Sequence, residues 1–324
     1  MKKILVTGAS GFIGQSLCNA LLKKGKLVCG TIRPSHLFKK NCDITYVPLA
    51  DISNKTNWKN ILVDVDCIIH CAARAHIMHE KDVEPLKIYR SVNVDGTRQL
   101  ATQAADAGIK RFIFLSSIKV NGENTDGQHN DTKLKKKQNS FKYSDIPNPK
   151  DPYAQSKFEA EKILWEISNK SDLEVTVVRL PLVYGYGVKG NLLRLIKLIK
   201  FGIPLPLSMV KNQRSMIGLD NLVDFLIRCI DRPEAVGETF LVSDGEDLST
   251  SELINYMAFS MGRTVRLFPV PSFLLKLFAH ILGKKKEINR LLGSLTVDSS
   301  YAFNKLDWKP PLSVEEGIRR MIQN

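Results

Sequence analysis

Short apolar runs rich in β-branched residues alternate with helical patterns through the first third of the chain. They run KILVTGA, FIGQSLCNALLKKG and KLVCGTI, followed by runs around residues 44–48 and 65–70. Strand–helix–strand repetition predicts a parallel sheet covered by helices on both faces. Val92, Leu100 and Ala104 mark the apolar side of a helix over 88–107, which leads into a strand over 111–115. Further strands over 174–180 and 239–243 complete the sheet, and the chain has no internal repeat. Between Asn121 and Pro152 the pattern fades into NGENTDGQHNDTKLKKKQNS, which holds one leucine and no other large aliphatic residue, so a surface loop or lid is expected there. Its Lys135–Lys137 run reads as solvated.

Composition narrows the class without naming a task. The 324 residues are 44% hydrophobic and 25% charged, which excludes a wholly disordered or collagen-like chain and leaves room for two domains or one enlarged α/β domain. A formal net charge of +14 points to an anionic partner: nucleic acid, a membrane surface or a phosphorylated small molecule. Between Gly185 and Leu219 there is no acidic residue, against Lys189, Arg194, Lys197, Lys200, Lys211 and Arg214, so an anion site is expected in that stretch. A further basic cluster, Lys284–Lys286 with Arg290, follows the apolar helix FLLKLFAHILG, which is expected to pack inside a small C-terminal subdomain rather than against a membrane. The six cysteines show no CxxC pairing or zinc-finger spacing and read as small buried hydrophobes of a reducing compartment. MKKILVTGAS is a strand rather than an export signal, and no stretch reaches the roughly 18 apolar residues of a spanning helix, so a cytoplasmic protein without stable membrane insertion is expected.

Three motifs carry chemistry. Gly8-Ala9-Ser10-Gly11-Phe12-Ile13-Gly14 leaves the first strand and opens the first helix, the context in which a glycine turn lets backbone N–H groups and the positive end of a helix hold a pyrophosphate. The second strand, KLVCGTIRPS, ends without a carboxylate and with Arg33, which leans toward NADP or toward indifference between NADP and NAD. Asp151-Pro152-Tyr153-Ala154-Gln155-Ser156-Lys157 places Tyr153 and Lys157 one helical turn apart. An ammonium and a nicotinamide cation beside Tyr153 would lower its pKa toward that of a usable general acid/base. Ser116 and Ser117, at the end of FIFL, can offer a hydroxyl to a reacting oxygen. His70, His76 and His79 straddle a strand end and a loop, and no metal site is expected of them.

With these residues in this order, the chain resembles an extended short-chain dehydrogenase/reductase of the nucleotide-sugar epimerase/dehydratase/reductase family, over nearly its whole length. The family's TGxxGFIG turn matches Thr7–Gly14, and its adenine-side aspartate matches Asp51, with Ile52 beside it. Its H-x-A-A matches His70 to Ala73, including Ala72, and its helix asparagine matches Asn93. Its paired serines, tyrosine–lysine pair and R-x-x-x-V-Y-G match Ser116–Gly122, Tyr153 with Lys157, and Arg179 through Gly185. The resemblance implies that Ser117 is the catalytic hydroxyl and that a C-terminal half grips a nucleoside diphosphate through Asn191, Arg214 and Arg290. It implies a Rossmann-like doubly wound parallel sheet over 1–184 and about 216–245, with a small nucleotide-sugar-binding domain over about 185–215 and 246–324.

One departure bears on the reaction: where family 4,6-dehydratases carry an Asp-Glu pair after the catalytic Ser/Thr, this chain has Ile118 and Lys119. The resemblance therefore implies NAD(P)-dependent chemistry at C4 of a UDP-linked sugar. The first expectation is a 4-reductase of a UDP-4-keto-6-deoxy-N-acetylhexosamine in bacterial polysaccharide synthesis. The alternatives are a UDP-hexose or UDP-N-acetylhexosamine 4-epimerase, and, from another class, a non-catalytic NAD(P)-sensing regulator. No nucleic-acid partner is expected, since base-stacking motifs are absent, and a homodimer stays open.

Overall fold

The computed structural model describes residues 2–34, 41–74, 84–126 and 140–323. Its strands are β1 (Lys3–Thr7), β2 (Leu27–Ile32), β3 (Thr45–Pro48), β4 (Cys67–His70), β5 (Arg111–Ser117), β6 (Glu174–Leu180), β7 (Leu182–Tyr184), β8 (Arg214–Gly218), β9 (Glu238–Leu241) and β10 (Asp247–Leu248). Its helices are α1 (Phe12–Lys23), α2 (Pro85–Tyr89), α3 (Gly96–Asp106), α4 (Pro152–Ser168), α5 (Asn191–Lys200), α6 (Leu219–Asp231), α7 (Thr250–Ser260), α8 (Ser272–Ile281), α9 (Lys285–Leu292), α10 (Ser300–Lys305) and α11 (Val314–Gln323).

Seven strands form one parallel sheet in the order β3-β2-β1-β4-β5-β6-β9, so the order reverses between β1 and β4. Alternate side chains of each strand go to opposite faces. Ile4, Val6, Ile69 and Ile113 join Leu17 of α1 and Phe225 of α6 in one core. Leu5, Ile68, Phe112 and Phe114 join Leu100 of α3 and Leu164 of α4 in the other. This is the doubly wound arrangement the strand–helix alternation predicts, and ligands of such sheets bind beyond the carboxyl ends of the strands at the reversal. A second sheet, β10-β8-β7, carries Arg214 at the start of β8 and overlies a third core that includes Leu192, Leu205, Ile254 and Ile318.

Four details differ from the sequence expectation. The single helix over 88–107 is three pieces, because a π-helical turn over Arg90–Asp95 separates α2 from α3. The wider turn shifts the inward face, so Val94 is buried and Val92 only partly so. The polar stretch after Asn121 is anchored at both described ends: Thr125 N donates to Ser294 O (2.9 Å), Phe141 N donates to Thr296 O (2.8 Å), and the Phe141 ring is buried with Ile118, Leu295 and Val297. Lys135–Lys137 lie outside the described residues. Helix α8 packs on the third core through Leu275 and buries only Ala279 fully, while Phe273, Leu277, Phe278 and Ile281 are exposed. Of the cysteines, Cys18, Cys29, Cys67 and Cys229 are buried as expected, but Cys42 is exposed. Among the described residues no helix is long and apolar enough to cross a membrane.

Candidate active site

The turn after β1 is built from backbone. Gly8 takes φ +69°, and its N–H donates to Thr31 Oγ1 (3.2 Å) while Gly11 N closes the turn on Gly8 O (2.9 Å). A Cβ on Gly14 would stand 2.2 Å from Gly8 O, so the first turn of α1 passes closer to the loop than any side chain allows. Helix α1 has no side-chain cap at Gly11 and no acidic residue in its first turn, leaving its N–H groups and positive end open to an anion. Ser10, Phe12 and Ile13 flank this mouth. Arg33 is exposed one residue beyond β2, and Asp51 is exposed with Ile52 packed against Gly96. A dinucleotide fits this cradle: the pyrophosphate at α1, the adenosine toward the ends of β2 and β3.

The other side of the cradle is fixed by a chain of hydrogen bonds. Thr97 Oγ1 donates to Asn93 O (2.7 Å), so the His70 Nε2–H must donate to Thr97 Oγ1 (3.1 Å), which leaves Nδ1 to accept from Thr7 Oγ1 (2.7 Å). Burial pushes the His70 pKa down to about 3, and Lys157 adds to the effect. A neutral ring with both nitrogens engaged clamps β4 between β1 and α3 and has no lone pair for a metal. His76 and His79 lie outside the described residues, and among the described residues no cluster could hold a metal. Asn93, in the π turn, accepts from Arg74 N (2.8 Å), donates to Arg74 O (3.1 Å) and donates to Ser156 Oγ (3.0 Å). It thereby ties the loop holding Ala72 and Ala73 to α4.

Helix α4 begins where Pro152 predicts, capped by Asp151, whose Oδ1 accepts from Ala154 N (2.7 Å). Its first turn brings Tyr153 into a side-chain hydrogen bond with Ser117 at the end of β5. Ser116 points the other way and donates to Glu161, so only the second serine faces the tyrosine. Lys157 is buried, donates to Leu115 O (2.8 Å) and lies 4.4 Å from the Phe114 ring centroid. Burial holds its ammonium down at about 8 despite the attraction of Glu161. Burial, then Asp151 and Tyr89, push the Tyr153 phenol up from its ordinary value, and the Ser117 hydrogen bond opposes them.

Beneath this group lies a buried pair that sequence reasoning missed. Arg179 Nε and Nη2 donate to the two oxygens of Glu161 (3.1 and 2.7 Å), and Nη1 donates to Asn121 Oδ1 (2.9 Å). Glu161 follows Tyr153 and Lys157 at the same four-residue spacing, a signal present in the sequence. At the dehydratase positions, Ile118 is buried and Lys119 pairs with the capping Asp151, so neither offers a free acid or base.

On the substrate side, Arg214 Nη1 donates to Arg290 O (2.6 Å) and Gly293 O (3.0 Å). Burial, then the Arg290 charge, lower its pKa, and Asp126 opposes them. An anion brought beside the two guanidiniums would stabilise both charges. Asn191 opens α5 after Gly190 and is exposed.

A parallel doubly wound sheet with an uncapped glycine-rich mouth and a serine–tyrosine–lysine group at its strand ends defines a dinucleotide-dependent oxidoreductase-type enzyme. The model of the NAD dependent epimerase/dehydratase family matches residues 4–243, and the chain belongs to that family. It is a nucleotide-sugar enzyme of the NAD(P)-dependent epimerase/reductase type. A UDP-glucose 4-epimerase of Vibrio cholerae is 42% identical, over 99% of this chain and 95% of that protein. An N-acetyl-α-D-glucosaminyl-diphospho-ditrans,octacis-undecaprenol 4-epimerase of Escherichia coli O157:H7 is 26% identical, over 99% and 94%. Among solved structures, the UDP-glucuronic acid 4-epimerase of Bacillus cereus in complex with NAD shares the fold with a TM-score of 0.76 at 21% identity, covering 99% of this chain and 97% of that chain. These comparisons lend the expected NADP preference no support.

Proposed function

We propose that the protein is a 4-epimerase of a UDP-linked hexose or N-acetylhexosamine, using NAD, rather than the 4-reductase first expected. The observation that carries this reading is the 42% identity with a UDP-glucose 4-epimerase over the whole chain, joined to a site whose dehydratase positions are closed by Ile118 and by the Lys119–Asp151 pair. Bound NAD would supply hydride acceptance and return at C4. Tyr153 takes the proton from the 4-hydroxyl and gives it back to the 4-oxygen, and Ser117 holds that oxygen through the hydroxyl it now lends to Tyr153. Lys157, protonated at neutral pH, sets the field beside the nicotinamide ribose. Arg214 and Arg290 grip the diphosphate, about which the 4-keto sugar turns to present its other face. Gly8, Gly11 and Gly14 with the start of α1 hold the cofactor's pyrophosphate, and Asp51 lies on the adenine side.

The test is incubation of the purified protein with each UDP-hexose and UDP-N-acetylhexosamine in turn, with nicotinamide absorbance and product stereochemistry followed together. Interconversion of two 4-epimers with no net absorbance change supports the epimerase. Consumption of reduced nicotinamide, one for one with a 4-keto sugar, would return the assignment to the reductase.

A further inference from the structure

Helix α8 carries more apolar surface than the protein's own core uses. Phe273, Leu277 and Ile281 fall at intervals of four residues along one line of the helix and are 68%, 53% and 71% exposed; Phe278 and Leu282, one position further on, are 59% and 69% exposed. Four large apolar side chains in so short a helix, with Leu282 at its C-cap, form an apolar surface of the kind soluble monomers seldom leave bare. Exposed cations flank it along the chain, with Glu287 the first acidic residue after them. From Gly262 to Lys286 the sequence has no acidic residue, while Arg263, Arg266, Lys276, Lys284 and Lys285 are all exposed.

An apolar stripe with a cationic border matches a surface that is apolar just below a layer of negative charge. A second copy of the chain matches it less well, because a two-fold contact would set Lys276, Lys284 and Lys285 against their own copies, with Glu287 the one acidic residue of α9 to offset them. The helix has 10 residues, too few to span a bilayer, so it can only lie in the interface plane. Through α9, which packs on α8 and offers the Arg290 and Gly293 carbonyls to Arg214, this face borders the candidate diphosphate site.

We propose that the exposed face of α8 with its basic rim docks the enzyme peripherally on an anionic phospholipid bilayer. The proposal stands apart from the catalytic reading, since it uses none of the same residues. The test is sedimentation of the full chain with vesicles of phosphatidylcholine alone and of phosphatidylcholine mixed with phosphatidylglycerol. Binding is expected to the mixed vesicles only, and to weaken as salt is raised. Leu277→Glu combined with Ile281→Glu should lower the partition coefficient at least about tenfold, as should Lys284→Glu combined with Lys285→Glu. All four side chains are exposed, and unchanged turnover of a soluble UDP-sugar checks that each variant is folded. Wild-type protein that stays in the supernatant with the mixed vesicles overturns the proposal. So does a concentration-dependent dimer that Leu277→Glu with Ile281→Glu dissolves, which would make the face a contact between copies.

Discussion

On the proposed reading, the nucleotide end and the substrate end of this molecule hold phosphates by different means. At the nucleotide end the work is done by main chain: a left-handed Gly8, a Gly14 that leaves no room for a methyl group, and an uncapped helix start, all rooted in two fully buried cores. At the substrate end it is done by side chains. Arg214 is held by the carbonyls of a short helix and the loop behind it, within the electrostatic reach of Arg290 and Asp126, on elements that include a three-stranded sheet. A backbone site recognises what every dinucleotide has in common, whereas a side-chain site can be altered one residue at a time. That difference suits a family in which one cofactor serves many sugars.

The sharpest way to break the comparison is to strike between the two ends. Tyr153→Phe should reduce turnover by about 10²–10⁴-fold, the usual worth of a general acid/base, while NAD affinity measured by fluorescence titration stays near wild type. Activity within about tenfold of wild type would remove Tyr153 from the proton step. At the substrate end, Arg214→Ala should weaken UDP binding by about tenfold or more in calorimetry and spare NAD, because it deletes one partner of a desolvated charge pair. Unchanged UDP affinity would make Arg214 a structural tether of α9.

At the nucleotide end, Gly14→Ala should destabilise the fold by about 1–3 kcal/mol in denaturant titration, since the added methyl meets backbone that cannot move aside. It should impair NAD binding as well. A variant of wild-type stability would mean that the turn is looser than its contacts imply. The smallest effect near neutral pH concerns His70. Its folded pKa of about 3 lies below the ordinary 6.5, so the unfolded chain takes up the proton first, and stability should fall as pH drops from about 6.5 toward 3. The slope can reach at most about 1.4 kcal/mol per pH unit for one proton. His70→Asn should flatten the acid limb of a plot of stability against pH; an unchanged limb would assign it to other groups.

How much of this was legible beforehand follows the same division. The strand–helix alternation, the glycine turn, the Pro152 helix start and the Tyr153–Lys157 pair are local patterns, and each stands where the sequence predicts. Glu161 and Arg179 were missed as partners because they are 18 residues apart and meet only after β6 pairs with β5. The π turn was hidden because Val92, Leu100 and Ala104 also satisfy an ordinary helix. Phe141 lies within the span expected to be a loop, and its pairing beside Val297 makes it a core residue. Helix α8 misled in the opposite direction: an apolar pattern states that a helix wants cover, not that its own chain provides it.

The central claim is that hydride leaves C4 and returns to the same carbon within one site. It is tested most directly with a UDP-hexose deuterated at C4, by following the label in the product. The expected result is a 4-epimer that keeps its deuterium at C4, with none lost to water and no net change in nicotinamide absorbance. Loss of the label to solvent, or its appearance in released reduced cofactor, would contradict a 4-epimerase.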